Sequence, residues 1–200
     1  MNIEDFFERY RAECEACNGA KPIYIPQPDP ANGFQGSAVM FINERPGRIG
    51  PGKSNRISFE NDDPTANWFK ELFGTTGLDR RDIFITNACI YYPQDPAYRD
   101  APLSTQEIAR CARTLQQQIR FIQPRLIVPL GNTALATLRH VFPESQQLRR
   151  FVLRRNIGEV VADTPTPIYP LYHTSRRAQV TRNREMQKKD WSRIAGILNS

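Results

Sequence analysis

Ser37-Ala38-Val39-Met40-Phe41-Ile42 is an apolar run of strand length that turns abruptly polar at Asn43-Glu44-Arg45-Pro46-Gly47. A short apolar run bounded by turn residues reads as a buried strand. Three further runs repeat the pattern: Asp82 to Thr86, followed by Asn87; Leu126 to Leu130, followed by Gly131-Asn132; and Pro167 to Tyr172, followed by His173-Thr174-Ser175. Amphipathic stretches separate them. Buried strands alternating with amphipathic helices predict an α/β fold, a three-layer α/β/α sandwich around a central, mainly parallel four-stranded sheet. Pro129 and Pro170 interrupt two of the runs, and a residue that cannot donate to a ladder belongs at a sheet edge or strand end.

The helices carry their own start signals. Ile3, Phe6, Phe7 and Tyr10 share one face of an N-terminal helix. The segment from Lys21 to Gly36 holds Pro22, Pro26, Pro28 and Pro30 and is expected to be irregular or extended. Asp63-Pro64 supplies an N-cap and a first-turn proline ahead of Trp68, Phe69 and Leu72. Ser104-Thr105-Gln106-Glu107 has capping-box form and opens a helix with Ile108, Cys111, Leu115, Ile119 and Ile122 on its apolar face. Asn132 is the expected cap of the next helix. A final helix is expected from Asn183 to Leu198, with Met186, Trp191, Ile194 and Ile197 inward.

A chain of 200 residues suits one domain, 1–200, with a full core of its own. Lysine and arginine outnumber acidic residues 27 to 21, a formal charge of +6, which favours a polyanionic partner. The N-terminus lacks a basic segment followed by an apolar one, and no apolar stretch is long enough to span a bilayer. The expected location is therefore the cytoplasm, with the nucleoid in a prokaryote, and no membrane partner. In a reducing compartment Cys14, Cys17, Cys89 and Cys111 are poor candidates for structural disulfides. A Cys-x-x-Cys pair such as Cys14–Cys17 suits zinc, an iron–sulfur cluster or a redox dithiol alike.

Ligands of open α/β sheets bind beyond the carboxyl ends of the strands. Those ends offer here a carboxylate (Glu44), an amide (Asn87) and an imidazole (His173). His140 lies in a helical stretch without polar company and is expected at the surface or in packing.

These motifs, in this order along nearly the whole chain, resemble the uracil-DNA glycosylase superfamily, and the type with a four-cysteine iron–sulfur cluster in particular. Asn43-Glu44-Arg45-Pro46-Gly47 is similar to that family's Gly-Glu-Ala-Pro-Gly, with departures at Asn43 and Arg45. Ile85-Thr86-Asn87 matches its Ile-Thr-Asn. Gln118-Ile119 through Leu126-Ile127-Val128-Pro129-Leu130-Gly131 resembles its central block. Pro170-Leu171-Tyr172-His173 resembles the segment with the family's histidine, although the usual following proline is Thr174 here. Glu107-Ile108-Ala109-Arg110-Cys111 matches Glu-Ile-x-x-Cys, whereas Cys89 comes two residues after Asn87 and the family's cysteine comes four after.

The resemblance implies a DNA-repair enzyme that flips uracil out of DNA and hydrolyses its glycosidic bond; a monomer is expected. It implies that Asn87 reads the uracil edge, Phe59 stacks on the ring, and Gly47 lets backbone approach the base. His173 would donate to uracil O2, and Glu44 would position water and oppose the sugar's positive charge. Cys14, Cys17, Cys89 and Cys111 would hold a [4Fe–4S] cluster, with zinc as the alternative metal. Arg176 and Arg177, close after His173, are expected to contact DNA phosphates, with Arg48, Lys53 and Arg56 serving the opposite edge. Two other readings stay open: a superfamily member that binds DNA without turnover or acts on another deaminated base such as hypoxanthine, and a zinc-stabilised nucleic-acid-binding module.

Overall fold

The computed structural model describes residues 3–17, 23–93 and 101–200. Helix α1 (Ile3–Cys17) is followed by two-residue strands β1 (Ile23–Tyr24) and β2 (Gln27–Pro28) and then by β3 (Val39–Asn43), α2 (Gly50–Ser54) and β4 (Arg56–Ile57). Helix α3 (Pro64–Phe73) leads to β5 (Ile83–Asn87) and β6 (Tyr92–Pro93). Beyond these lie α4 (Thr105–Ile122), β7 (Leu126–Pro129), α5 (Asn132–Val141), α6 (Gln146–Arg150) and α7 (Leu153–Asn156). The chain ends with α8 (Arg176–Thr181), α9 (Arg184–Trp191) and α10 (Ile194–Leu198). Among the described residues no helix is long and apolar enough to cross a membrane.

The central sheet runs β5-β3-β7, all parallel. A fourth parallel member, residues 167–171, lies beside β7. Its rungs are Ile127 N–H to the Pro167 carbonyl (3.0 Å), Tyr169 N–H to Ile127 (2.9 Å) and Leu171 N–H to Pro129 (3.0 Å). Odd-numbered residues of this segment face β7, while Ile168 turns its N–H outward to Val161. Pro170 has the outward parity too, so its missing donor costs the sheet no rung, as an edge position permits. This four-membered parallel sheet is the one expected from the apolar runs.

Helices cover both faces. On one, α1 (Phe6, Phe7), α4 (Leu115, Ile119, Ile122) and α5 (Leu135, Leu138) pack against Met40, Ile42, Phe84 and Ile127. On the other, α3 (Trp68, Phe69, Leu72) with Trp191 and Ile194 covers Val39, Phe41, Ile83, Ile85 and Val128. Burying each such large apolar side chain contributes about 1.5–3 kcal/mol. The caps act where expected: Asp63 accepts from the N–H groups of Thr65 (2.9 Å) and Ala66 (3.0 Å), and Ser104 and Glu107 close a reciprocal capping box.

Two helix expectations are corrected. The N-cap of α5 is Gly131, with φ of +95°, and Asn132 is already helical. The C-terminal stretch is two helices, and Met186 is exposed. Gln187 takes the inward position of α9, accepting from Trp68 Nε1 (2.9 Å) and donating to the Arg182 carbonyl (2.7 Å). Trp68 Nε1 thereby has the partner that a buried indole N–H favours.

Candidate active site

Side chains alternate across a strand. Along β3, Val39 and Phe41 enter the α3 side of the core, Met40 and Ile42 the α4 side, so Asn43 carries the α3-side parity. Ile83 and Ile85 give Asn87 the same parity on β5, and the register makes Asn43 and Asn87 Cα partners. Tyr169 and Leu171 do likewise for His173. The three side chains line one cavity of about 530 Å³ beyond the strand ends. Ile57, Phe59 and Phe69 form its apolar wall.

His173 Nδ1 accepts from the Ser175 backbone N–H (3.1 Å). A neutral imidazole accepting at Nδ1 carries its proton at Nε2, so this tautomer has one donor free for a ligand. Burial pulls the His173 pKa below its ordinary value, with the negative charges of Glu44 and Asp63 opposing. Gly131 packs against the base of the His173 side chain: a Cβ on it would sit 3.4 Å from His173 Cβ, at a φ of +95° that residues other than glycine rarely adopt.

Asn87 is 2% exposed, and its Nδ2 has no hydrogen-bond partner among the described residues. A buried donor left open costs roughly 1–3 kcal/mol, which a ligand that accepts from it would repay. Thr86, on the opposite face, donates instead to Gln118 Oε1 (2.6 Å). Glu44 is half-buried and is not part of the cavity wall; its charge nonetheless acts on His173.

Phe59 lines the cavity, but its ring is already engaged. It stacks with Phe69 (centroids 5.6 Å apart) and Phe73 (5.3 Å), and the Arg80 guanidinium lies 4.6 Å from its centroid. Arg80 is itself held by Asp29, Asn32 and Glu60. Gly47, Arg48, Arg176 and Arg177 line the exposed rim, whereas Lys53 and Arg56 lie off it.

Cys14, Cys89 and Cys111 are buried, free of disulfides, and belong to the α4-side core. Cys89 Sγ donates to the Tyr91 carbonyl (3.5 Å), and Cys89 and Cys111 lie close enough for each to shift the other's ionisation, with Cys14 acting electrostatically on Cys111. The contact with Cys89, together with burial, holds the Cys111 thiol far above its usual range. Burial also opposes ionisation of Cys89, yet hydrogen bonds from Cys111 and Tyr91 and the charge of Arg45 draw it below. The Cys17 side chain lies outside those described; among the described residues no group of three His, Cys, Asp or Glu side chains is arranged to hold a metal ion. His140 is exposed.

Among the cavity residues without a role in the sequence reading are Asn43, Arg45 and Thr174. Arg45 reaches Glu107 (3.6 Å) with a side chain only 11% exposed. Thr174 is fully buried, its hydroxyl without a partner among the described residues. Strand parity was the signal available for Asn43, which continues the series Val39, Phe41.

Residues 30–195 match the family profile of the uracil DNA glycosylase superfamily. The chain is similar to a type-4 uracil-DNA glycosylase of Archaeoglobus fulgidus, 25% identical over 98% of this chain and 94% of the relative. A type-4 enzyme of Sulfurisphaera tokodaii is 24% identical over 95% and 84%. A type-5 uracil-DNA glycosylase of Pyrobaculum aerophilum is 24% identical over 76% and 67%.

Proposed function

The chain belongs to the uracil-DNA glycosylase superfamily, and from that premise we propose that it is a DNA-repair glycosylase that hydrolyses the bond between uracil and deoxyribose, leaving free uracil and an abasic site. One observation carries the reading: an amide with an open N–H, Asn87, and a neutral imidazole with a free Nε2–H, His173, line one cavity beyond the strand ends.

A stacked uracil hides its glycosidic bond, so the nucleotide leaves the duplex at a cost of a few kcal/mol. Arg176 and Arg177 on the rim hold flanking phosphates, and Gly47 lets backbone come close to the base. The uracil ring lies against the apolar wall of Ile57 and Phe59. Asn87 donates to O4 and accepts from N3–H, a pairing that cytosine, with the reverse pattern, does not satisfy.

Water oxygen then bonds to C1′ as the C1′–N1 bond breaks, its electron pair passing to the ring and the water proton returning to the uracil anion. His173 Nε2–H donates to O2, where negative charge develops, and a donor preorganised against that charge lowers the barrier by several kcal/mol. Glu44 directs the water and opposes the positive sugar.

Cys14, Cys17, Cys89 and Cys111 would hold a [4Fe–4S] cluster, a reading supported by four thiols, the donors such clusters take, and by similarity to type-4 relatives. Cys89 and Cys111 are in contact, Cys14 is nearby, and Cys17 follows one turn later on α1. Such a cluster, when bound, supplies structural support to the adjoining loop.

The test is incubation of the protein with a uracil-containing oligonucleotide, followed by assay of free uracil and alkali-labile sites. Both are expected, and both are expected to fall by about two orders of magnitude for Asn87→Ala, as when one donor in a catalytic site is removed. DNA that is bound but left intact would refute the enzyme reading.

A further inference from the structure

We propose that Asn43 is a second base-reading amide that donates to the 2-carbonyl of the bound base and so sets substrate choice. The inference rests on the glycosylase reading and extends it to a residue with no counterpart in the family motif, where this position is glycine.

The sheet order β5-β3-β7 followed by residues 167–171 puts the end of β3 between Asn87 and His173. Asn43 and Asn87 are Cα partners in neighbouring strands, so the two amides stand roughly 5 Å apart on the same face. Asn43 lines the same cavity as Asn87 and His173 and is only half-buried, which leaves it open to a ligand. Apart from Asn43, the polar neighbours at the β3 end are turned to other tasks: Glu44 lies off the wall, and Arg45 pairs with Glu107.

A uracil edge presents acceptor, donor and acceptor in a row: O2, N3–H and O4. Asn87 takes O4 and N3–H, and His173 takes one lone pair of O2. An amide standing between those two readers meets the other lone pair, giving O2 two donors as the leaving anion forms. A base without a 2-carbonyl, such as hypoxanthine, gains nothing from the second donor. Glycine at this position would leave the two bases more nearly equal.

The experiment compares single-turnover release of uracil and of hypoxanthine from otherwise identical single-stranded oligonucleotides by the full-length protein and by Asn43→Ala, Asn43→Ser and Asn43→Asp. Uracil release is expected to fall about tenfold for the alanine variant, the loss of one hydrogen bond to a charged acceptor. Hypoxanthine release should stay put, so the preference narrows by the same factor. Serine, which retains a donor, should recover part of the loss, and aspartate, which repels the anion, should be slower than alanine. Equal losses on both bases, or none on either, would overturn the proposal. A parent protein that releases neither base would instead sink the glycosylase reading on which it rests.

Discussion

The backbone N–H of Cys89 donates to the carbonyl oxygen of Glu44 over 3.0 Å. The preceding rung, Ala88 N–H to the Asn43 carbonyl, is 2.7 Å. Together they carry the β3–β5 ladder past the strand ends, so the proposed water-directing carboxylate and a proposed cluster ligand belong to one hydrogen-bonded frame. Cys89→Ser is accordingly expected to lower iron content and uracil release in the same preparation, checked by iron assay beside the excision assay. Full iron in the variant would rule Cys89 out as a ligand.

His173 gives stability a pH dependence of known sign. Its pKa is depressed in the folded protein, so as pH falls below about 6.5 the unfolded chain takes up the proton first. Stability attached to the neutral ring is therefore complete above that value and is lost as pH falls toward the folded pKa. Thermal unfolding between pH 5 and 7 should show a decline for the parent protein that His173→Gln flattens. Parallel curves for the two proteins would contradict this assignment.

Arg176 and Arg177 stand exposed on the cavity rim at the start of α8. If each neutralises one phosphate, replacing either by glutamine weakens DNA binding and reduces the slope of log K against log salt by about 1. Titrations at several salt concentrations measure both quantities; an unchanged slope would move the phosphate contacts elsewhere.

Gln187 tests the scaffold apart from the chemistry. Its carboxamide accepts from Trp68 Nε1 and donates to the Arg182 carbonyl, pinning α9 to α3. Gln187→Ala leaves a buried indole N–H unpaired at a cost of about 1–3 kcal/mol. A fall of several degrees in Tm is expected, with uracil release per folded molecule unchanged.

Much of this arrangement is legible in residue order because strand ends are marked by the switch from apolar to polar. Asn87 and His173 stand out since each marks the polar end of an apolar run, the second run broken only by Pro170, and the parity of those runs sends them to one cavity. Asn43 is the same kind of residue, but the conspicuous acid beside it, Glu44, draws attention first, and only the alternation Val39–Phe41–Asn43 separates them. Phe59 is legible as a wall residue; its stacking on Phe69 and Phe73 depends on α3, a partner that spacing cannot supply. Met186 points outward while Gln187 turns in to Trp68, a partner far away in the chain. Cys89, two residues away from the family's spacing, meets Cys111 because the extended ladder fixes its direction before the following loop begins.

The sheet divides the two apolar clusters, with Cys14, Cys89 and Cys111 on the α4 side and Ile57, Phe59, Phe69 and Ile85 on the α3 side. An abasic sugar opens to an aldehyde, a group that thiols attack. In the proposed reaction base and sugar are handled on one face while sulfur stays on the other, so the sheet would be a chemical partition as well as a scaffold, shielding the cysteines from the electrophile that uracil excision makes.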